Sequence, residues 1–152
     1  MEAARFYTTI ENQVRPDGGK GLLYDHYTNL NAALAKYYTI CAAAAISELP
    51  YHAAFLMASD TPVMDQLVFD RRADDAGELY TTIENQLRPD GSRGLLYDHF
   101  DDLNAALTKY YTVCAAAAVS DIPYHAAYLL QGDGVVLEQR IFDRRTDATA
   151  AE

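Results

Sequence analysis

The chain has 152 residues, with 12 basic against 22 acidic side chains for a formal charge of −10, and half of its residues are hydrophobic. This is a globular composition, long enough for about one domain of ordinary size. The acidic balance argues against a binder of nucleic-acid polymers, which draws its affinity from clustered Lys and Arg that release counterions. No apolar run approaches the roughly 20 residues of a membrane span, and the opening residues do not follow a signal-peptide pattern. The expected location is therefore the cytoplasm, with no membrane partner. Two cysteines, Cys41 and Cys114, each alone in an apolar setting, form neither a disulfide framework nor a metal motif.

The dominant feature is an internal repeat. Phe6 to Arg72 aligns without a gap on Leu79 to Arg145 at a constant offset of 73 residues, and roughly two thirds of the paired positions are identical. The predicted organisation is one unit over 5–72, a short polar connector at 73–77, a second unit over 78–145, and a tail at 146–152 expected to be disordered. A unit of about 70 residues is close to the size at which a lone core buries too little surface, so the two copies are expected to pack as a pseudo-twofold dimer.

Within the first unit, Phe6 to Gln13 is rich in Tyr, Thr and Ile and predicts a strand. Arg15-Pro16-Asp17-Gly18-Gly19 is a turn signal, and Lys20 to Asp25 is the returning strand of a hairpin. Apolar residues at Leu30, Ala33, Leu34, Tyr37, Cys41, Ala44 and Ala45 fall in steps of three and four, which predicts a helix. Thr28, and Asp101 in the second copy, are the expected N-caps. The helix should end near Ser47 to Leu49, ahead of Pro50. The alanines at 42–45 leave room for another backbone to approach closely. Tyr51 to Met57 alternates, a loop spans Ala58 to Pro62, and Val63 to Phe69 returns. Each unit reads as ββαββ, an α+β fold in which an antiparallel sheet carries one helix.

Candidates for chemistry come in equivalent pairs. Cys41 and Cys114 read as small buried hydrophobes, since a reactive thiol needs a cationic setting. Four histidines, His26, His52, His99 and His125, lack any metal-ligand spacing, and no metal or cofactor is expected. No nucleophile elbow, phosphate loop or dinucleotide fingerprint is present. Arg71-Arg72 and Arg144-Arg145 end the last strands of an acidic chain rich in tyrosine. A guanidinium fork holds phosphate or carboxylate and an aromatic ring stacks on a planar base, so a small anionic aromatic ligand such as a nucleotide fits these residue types. In that reading Arg71, Arg72, Arg144 and Arg145 hold the anion, while Tyr51, Tyr124, His52 and His125 stack on or orient the rest. The plainer reading gives the arginines to salt bridges with Asp70, Asp74 and Asp75, and the tyrosines to the core.

The segment Lys36-Tyr37-Tyr38-Thr39-Ile40-Cys41-Ala42-Ala43-Ala44-Ala45-Ile46-Ser47, followed by Pro50-Tyr51-His52-Ala53-Ala54, resembles small single-unit proteins of bacteria and their phages. Those carry a KYH-type helix, an alanine run ending in Ser and a strand with His-Ala. Here Tyr38 and Tyr111 stand where His is expected. The resemblance covers one helix and one strand per unit and implies a ββαββ fold, a tendency to dimerise and a mobile-element context. Some phage proteins of comparable size sequester cyclic-nucleotide immune signals without catalysis, and that context supplies an analogy for function. The expectation is a non-enzymatic small-molecule binder that self-associates. The alternatives are a structural or protein-interaction module without a ligand, and an enzyme built on Asp25-His26 and its copy Asp98-His99.

Overall fold

A computed structural model describes residues 5–72 and 77–145. Most of the connector (73–76), with Asp74 and Asp75, and the tail (146–152) lie outside the described residues. The chain divides into two compact units, Arg5–Gly77 and a second that starts at Glu78.

The first unit runs β1 (Tyr7–Val14), β2 (Lys20–Tyr27), α1 (Leu30–Ile46), β3 (Tyr51–Ala58) and β4 (Thr61–Asp70). The second repeats the order as β5 (Tyr80–Leu87), β6 (Arg93–Phe100), α2 (Leu103–Val119), β7 (Tyr124–Gln131) and β8 (Val136–Asp143). Each unit is a four-stranded antiparallel sheet, ordered β2-β1-β3-β4 and β6-β5-β7-β8, packed against one helix. The α+β reading and the ββαββ order therefore hold.

The hairpin tip forms as the turn residues require. The Arg15 amide donates to the Gly19 carbonyl at 2.7 Å and the Gly18 amide to the Arg15 carbonyl at 2.9 Å. Gly18 and its counterpart Gly91 adopt φ of 87° and 88°, a region that a side chain disfavours.

The helix starts one residue later than expected. Asn29, not Thr28, caps α1, its Oδ1 accepting from the Ala32 amide at 3.1 Å, and Asp102, not Asp101, caps α2. Adjacent residues of capping type make this one-residue shift invisible to composition. The buried stripe of α1 is Ala33, Tyr37, Ile40 and Ala44. Ala42, Ala43 and Ala45 are exposed, and the alanine of α1 that shares a buried cluster with Ala54 and Ala58 of the unit's own sheet is Ala33. Cys41 and Cys114 sit half-buried at the edge of this layer rather than inside it. The expected in-out alternation of Tyr51 to Met57 is absent, because β3 is buried along its whole length.

A Cβ at Gly18 would meet nothing within 4 Å, so Gly18→Ala tests backbone strain without a clash. The expected loss is about 1 kcal/mol by urea denaturation, the penalty for a side chain at positive φ.

Candidate functional site

His52 lies on the helix-facing side of β3 and is 3% exposed. Its Nε2 is 2.5 Å from Glu11 Oε2 on β1, and its Nδ1 is 2.9 Å from Oγ of Ser47, the C-cap of α1. A carboxylate only accepts, so in the neutral ring Nε2 carries the proton toward Glu11 and Nδ1 accepts from the Ser47 hydroxyl. The same Glu11 oxygen accepts from Gln13 Nε2 at 3.0 Å. The second unit reproduces this chain of bonds with Glu84, His125 and Ser120 at matching distances.

The paired arginines part company. Arg71 turns to the helix side and donates to the carbonyls of Ala44 (2.8 Å), Ala45 (3.4 Å) and Leu49 (3.3 Å). Ala44 and Ala45 lie in the last turn of α1, where the Ala44 carbonyl also accepts from the Ser47 amide at 3.4 Å, and Leu49 lies just beyond a helix that has no basic residue in its own last turn. Arg144 does the same for Ala117, Ala118 and Ile122. Arg72 turns to the other face, forks onto Asp70 with two contacts of 2.9 Å and lies 5.6 Å from the Tyr51 ring centroid. The Arg72 hydrogen bond holds the Asp70 carboxyl below the usual carboxylate range. Arg145 forks onto Asp143 and lies 5.5 Å from the Tyr124 ring. Tyr124 is fully buried, its hydroxyl 3.3 Å from that of Tyr128, and burial pushes the Tyr128 phenol up to about 12.

The eight residues singled out from sequence thus fall into two groups per unit. Arg72 meets Tyr51 on one face, while Arg71 and His52 brace the helix end on the other. Asp25 and His26 also separate. Asp25 is 3.7 Å from Lys36 of α1, whereas the His26 ring lies 6.1 Å from Phe6 and 5.5 Å from Tyr24. Neighbours on a strand face opposite sides, so this pair cannot share a proton with one substrate.

Open space lies beside the helices instead. In the second unit a cleft of about 380 Å³ runs between α2 and the edge strand β8, lined by Tyr110, Tyr111, Cys114, Glu138, Arg140 and Phe142. Arg140 is exposed, its guanidinium carbon 5.8 Å from the Phe142 centroid, and among the described residues it makes no ion pair. Burial, and the hydrogen bond with Cys114, raise the Tyr110 phenol and keep it protonated. In the first unit burial likewise pushes the Cys41 thiol up, which keeps it a poor nucleophile. Arg140 escaped the sequence reading although a signal was present: the repeat places Leu67 at the equivalent position.

No group of three or more His, Cys, Asp or Glu among the described residues could hold a metal ion, and no described helix is long and apolar enough to cross a membrane. No family model, curated protein or solved structure matches the chain.

Replacing His52 by Ala strands a partly buried carboxylate and frees the helix cap together. His52→Ala is expected to lose about 2–4 kcal/mol in urea denaturation, far beyond the ~0.5 kcal/mol of a surface change.

Proposed function

We propose that the protein is a non-enzymatic binder of a small anionic aromatic ligand, a nucleotide being the model case, and that the α2–β8 cleft receives it. The observation that carries this reading is a guanidinium without an ion-pair partner, that of Arg140, in an aromatic-walled cleft of ligand size. Pockets of some 300–1,000 Å³ with a few convergent polar groups are the usual form of small-molecule sites. Arg140 takes the phosphate, Phe142 and the exposed Tyr111 offer ring faces to a base, and Glu138 accepts from an exocyclic amine. In this reading Arg71, Arg144, His52 and His125 support the walls by fixing the helix ends. Arg72, Arg145, Tyr51 and Tyr124 serve the opposite face of each sheet.

A second reading, a protein-interaction module, is favoured by Ile46 and Val119, which end the two helices at 85% and 83% exposure. A chain that binds through these positions alone gains nothing from a nucleotide.

Thermal melts with cyclic and linear nucleotides distinguish the two. Ligand at a hundred times its dissociation constant stabilises the folded state by about 2.7 kcal/mol. Arg140→Leu, which installs the residue of the first copy, is expected to abolish the shift and leave the unliganded midpoint unchanged. The absence of any nucleotide shift in the unaltered protein leaves the interaction module standing.

A further inference from the structure

We propose that the groove between α1 and β2 of the first unit is a separate binding site for a small zwitterion of amino-acid type with an aliphatic side chain. The groove encloses about 270 Å³ between Thr9, Glu11, Leu23, Asp25, Lys36 and Ile40. At its wall the Thr9 side chain is fully buried, and its Oγ1 has no hydrogen-bond partner. Buried hydroxyls are nearly always satisfied, so an orphan marks a place where a partner belongs. The same orphan recurs at Thr82, which lines the equivalent recess of the second unit.

The charges around Thr9 specify the partner. Glu11 gives Oε2 to His52 and Gln13, and among the described residues nothing in the chain occupies Oε1. Asp25 and Lys36 are 3.7 Å apart with side chains 52% and 40% exposed, a loose pair that a ligand can separate. Negative, positive and negative groups therefore meet in one recess. A plain amine entering it faces Lys36, and a plain carboxylate faces Glu11 and Asp25. A zwitterion meets both: its ammonium donates to Glu11 Oε1 and Thr9 Oγ1, and its carboxylate takes Lys36. An aliphatic side chain then covers Leu23, 60% exposed, and Ile40. The second unit lines its equivalent recess with the same residue types, Val113 replacing Ile40, but that recess encloses only about 10 Å³, room for about one water, so the proposal is confined to the first unit.

The test is a ¹H–¹⁵N NMR titration of the full chain with three probes of one skeleton: leucine, isopentylamine and 4-methylpentanoate. Leucine is expected to shift the amides of Thr9, Glu11, Asp25 and Lys36 saturably, and the other two to bind about tenfold more weakly or worse, each having lost one charged contact. Thr9→Val keeps the shape and removes an orphaned hydroxyl. It is expected to melt no lower than the parent and to bind leucine about tenfold more weakly. Lys36→Met is expected to erase the preference for leucine over isopentylamine, and Arg140→Leu to leave leucine binding unchanged. No saturable shift with leucine, equal binding of isopentylamine to the unaltered protein, or undiminished binding by Thr9→Val overturns the proposal.

Discussion

The bond from Glu11 through His52 to Ser47 ties three elements of the first unit together at one point: a central strand, its central neighbour and the end of the helix. Two of its members are largely withdrawn from water, His52 at 4% and Glu11 at 15% side-chain exposure. A buried polar chain of this kind stabilises only while every member is satisfied, which makes it more a constraint on position than a source of net energy. Arg71 adds a second fastening by donating to the carbonyls of Ala44 in the last turn of the helix and of Leu49 just beyond it. A 17-residue helix secured in this way keeps one line over its sheet.

That line leaves space beside each helix, between α1 and β2 in the first unit and between α2 and β8 in the second. α1 packs chiefly on the central strands β1 and β3, and α2 on β5 and β7, so the edge strands are only partly covered. On one flank the edge strand is β2 or β6, and on the other it is β4 or β8. The copies have kept the fastening intact and changed the β4/β8 flank, whereas the β2/β6 flank keeps the same lining residues except that Val113 stands at the position of Ile40. Glu, His and Ser recur at offset 73, whereas Leu67 and Arg140, or Asp65 and Glu138, differ at equivalent places. The duplicated scaffold has thus held its braces and one flank constant and varied the other.

Local physics made much of the fold legible in the sequence. The Pro-Asp-Gly turn and the Pro50 boundary act over a few residues and fall where the structure has them, while of the expected apolar face Ala33, Tyr37 and Ala44 are buried, Ala45 is exposed, and Ile40 joins the buried stripe. What stayed hidden acts across distance. Glu11 and His52 are 41 residues apart, and Arg71 reaches carbonyls 26 and 27 residues back, so no spacing rule joins them. His52 and Arg71 drew notice for their residue types, and their contacts then showed them bracing the helix. Thr9 looks like any strand threonine until its burial and its unpartnered hydroxyl are known. Arg140 was readable from sequence as the exception within a repeat, a difference that counting identities passes over.

Helix ends ordinarily fray, and their last amides exchange with solvent far faster than those of a sheet. If the Glu11–His52–Ser47 chain and Arg71 govern the placement of α1, amides in its final turn, Ala43 to Ile46, exchange as slowly as those of the central strand β3. Native-state hydrogen exchange measures this directly. Fast, fraying exchange at Ala43 to Ile46 beside a protected β3 would contradict the account.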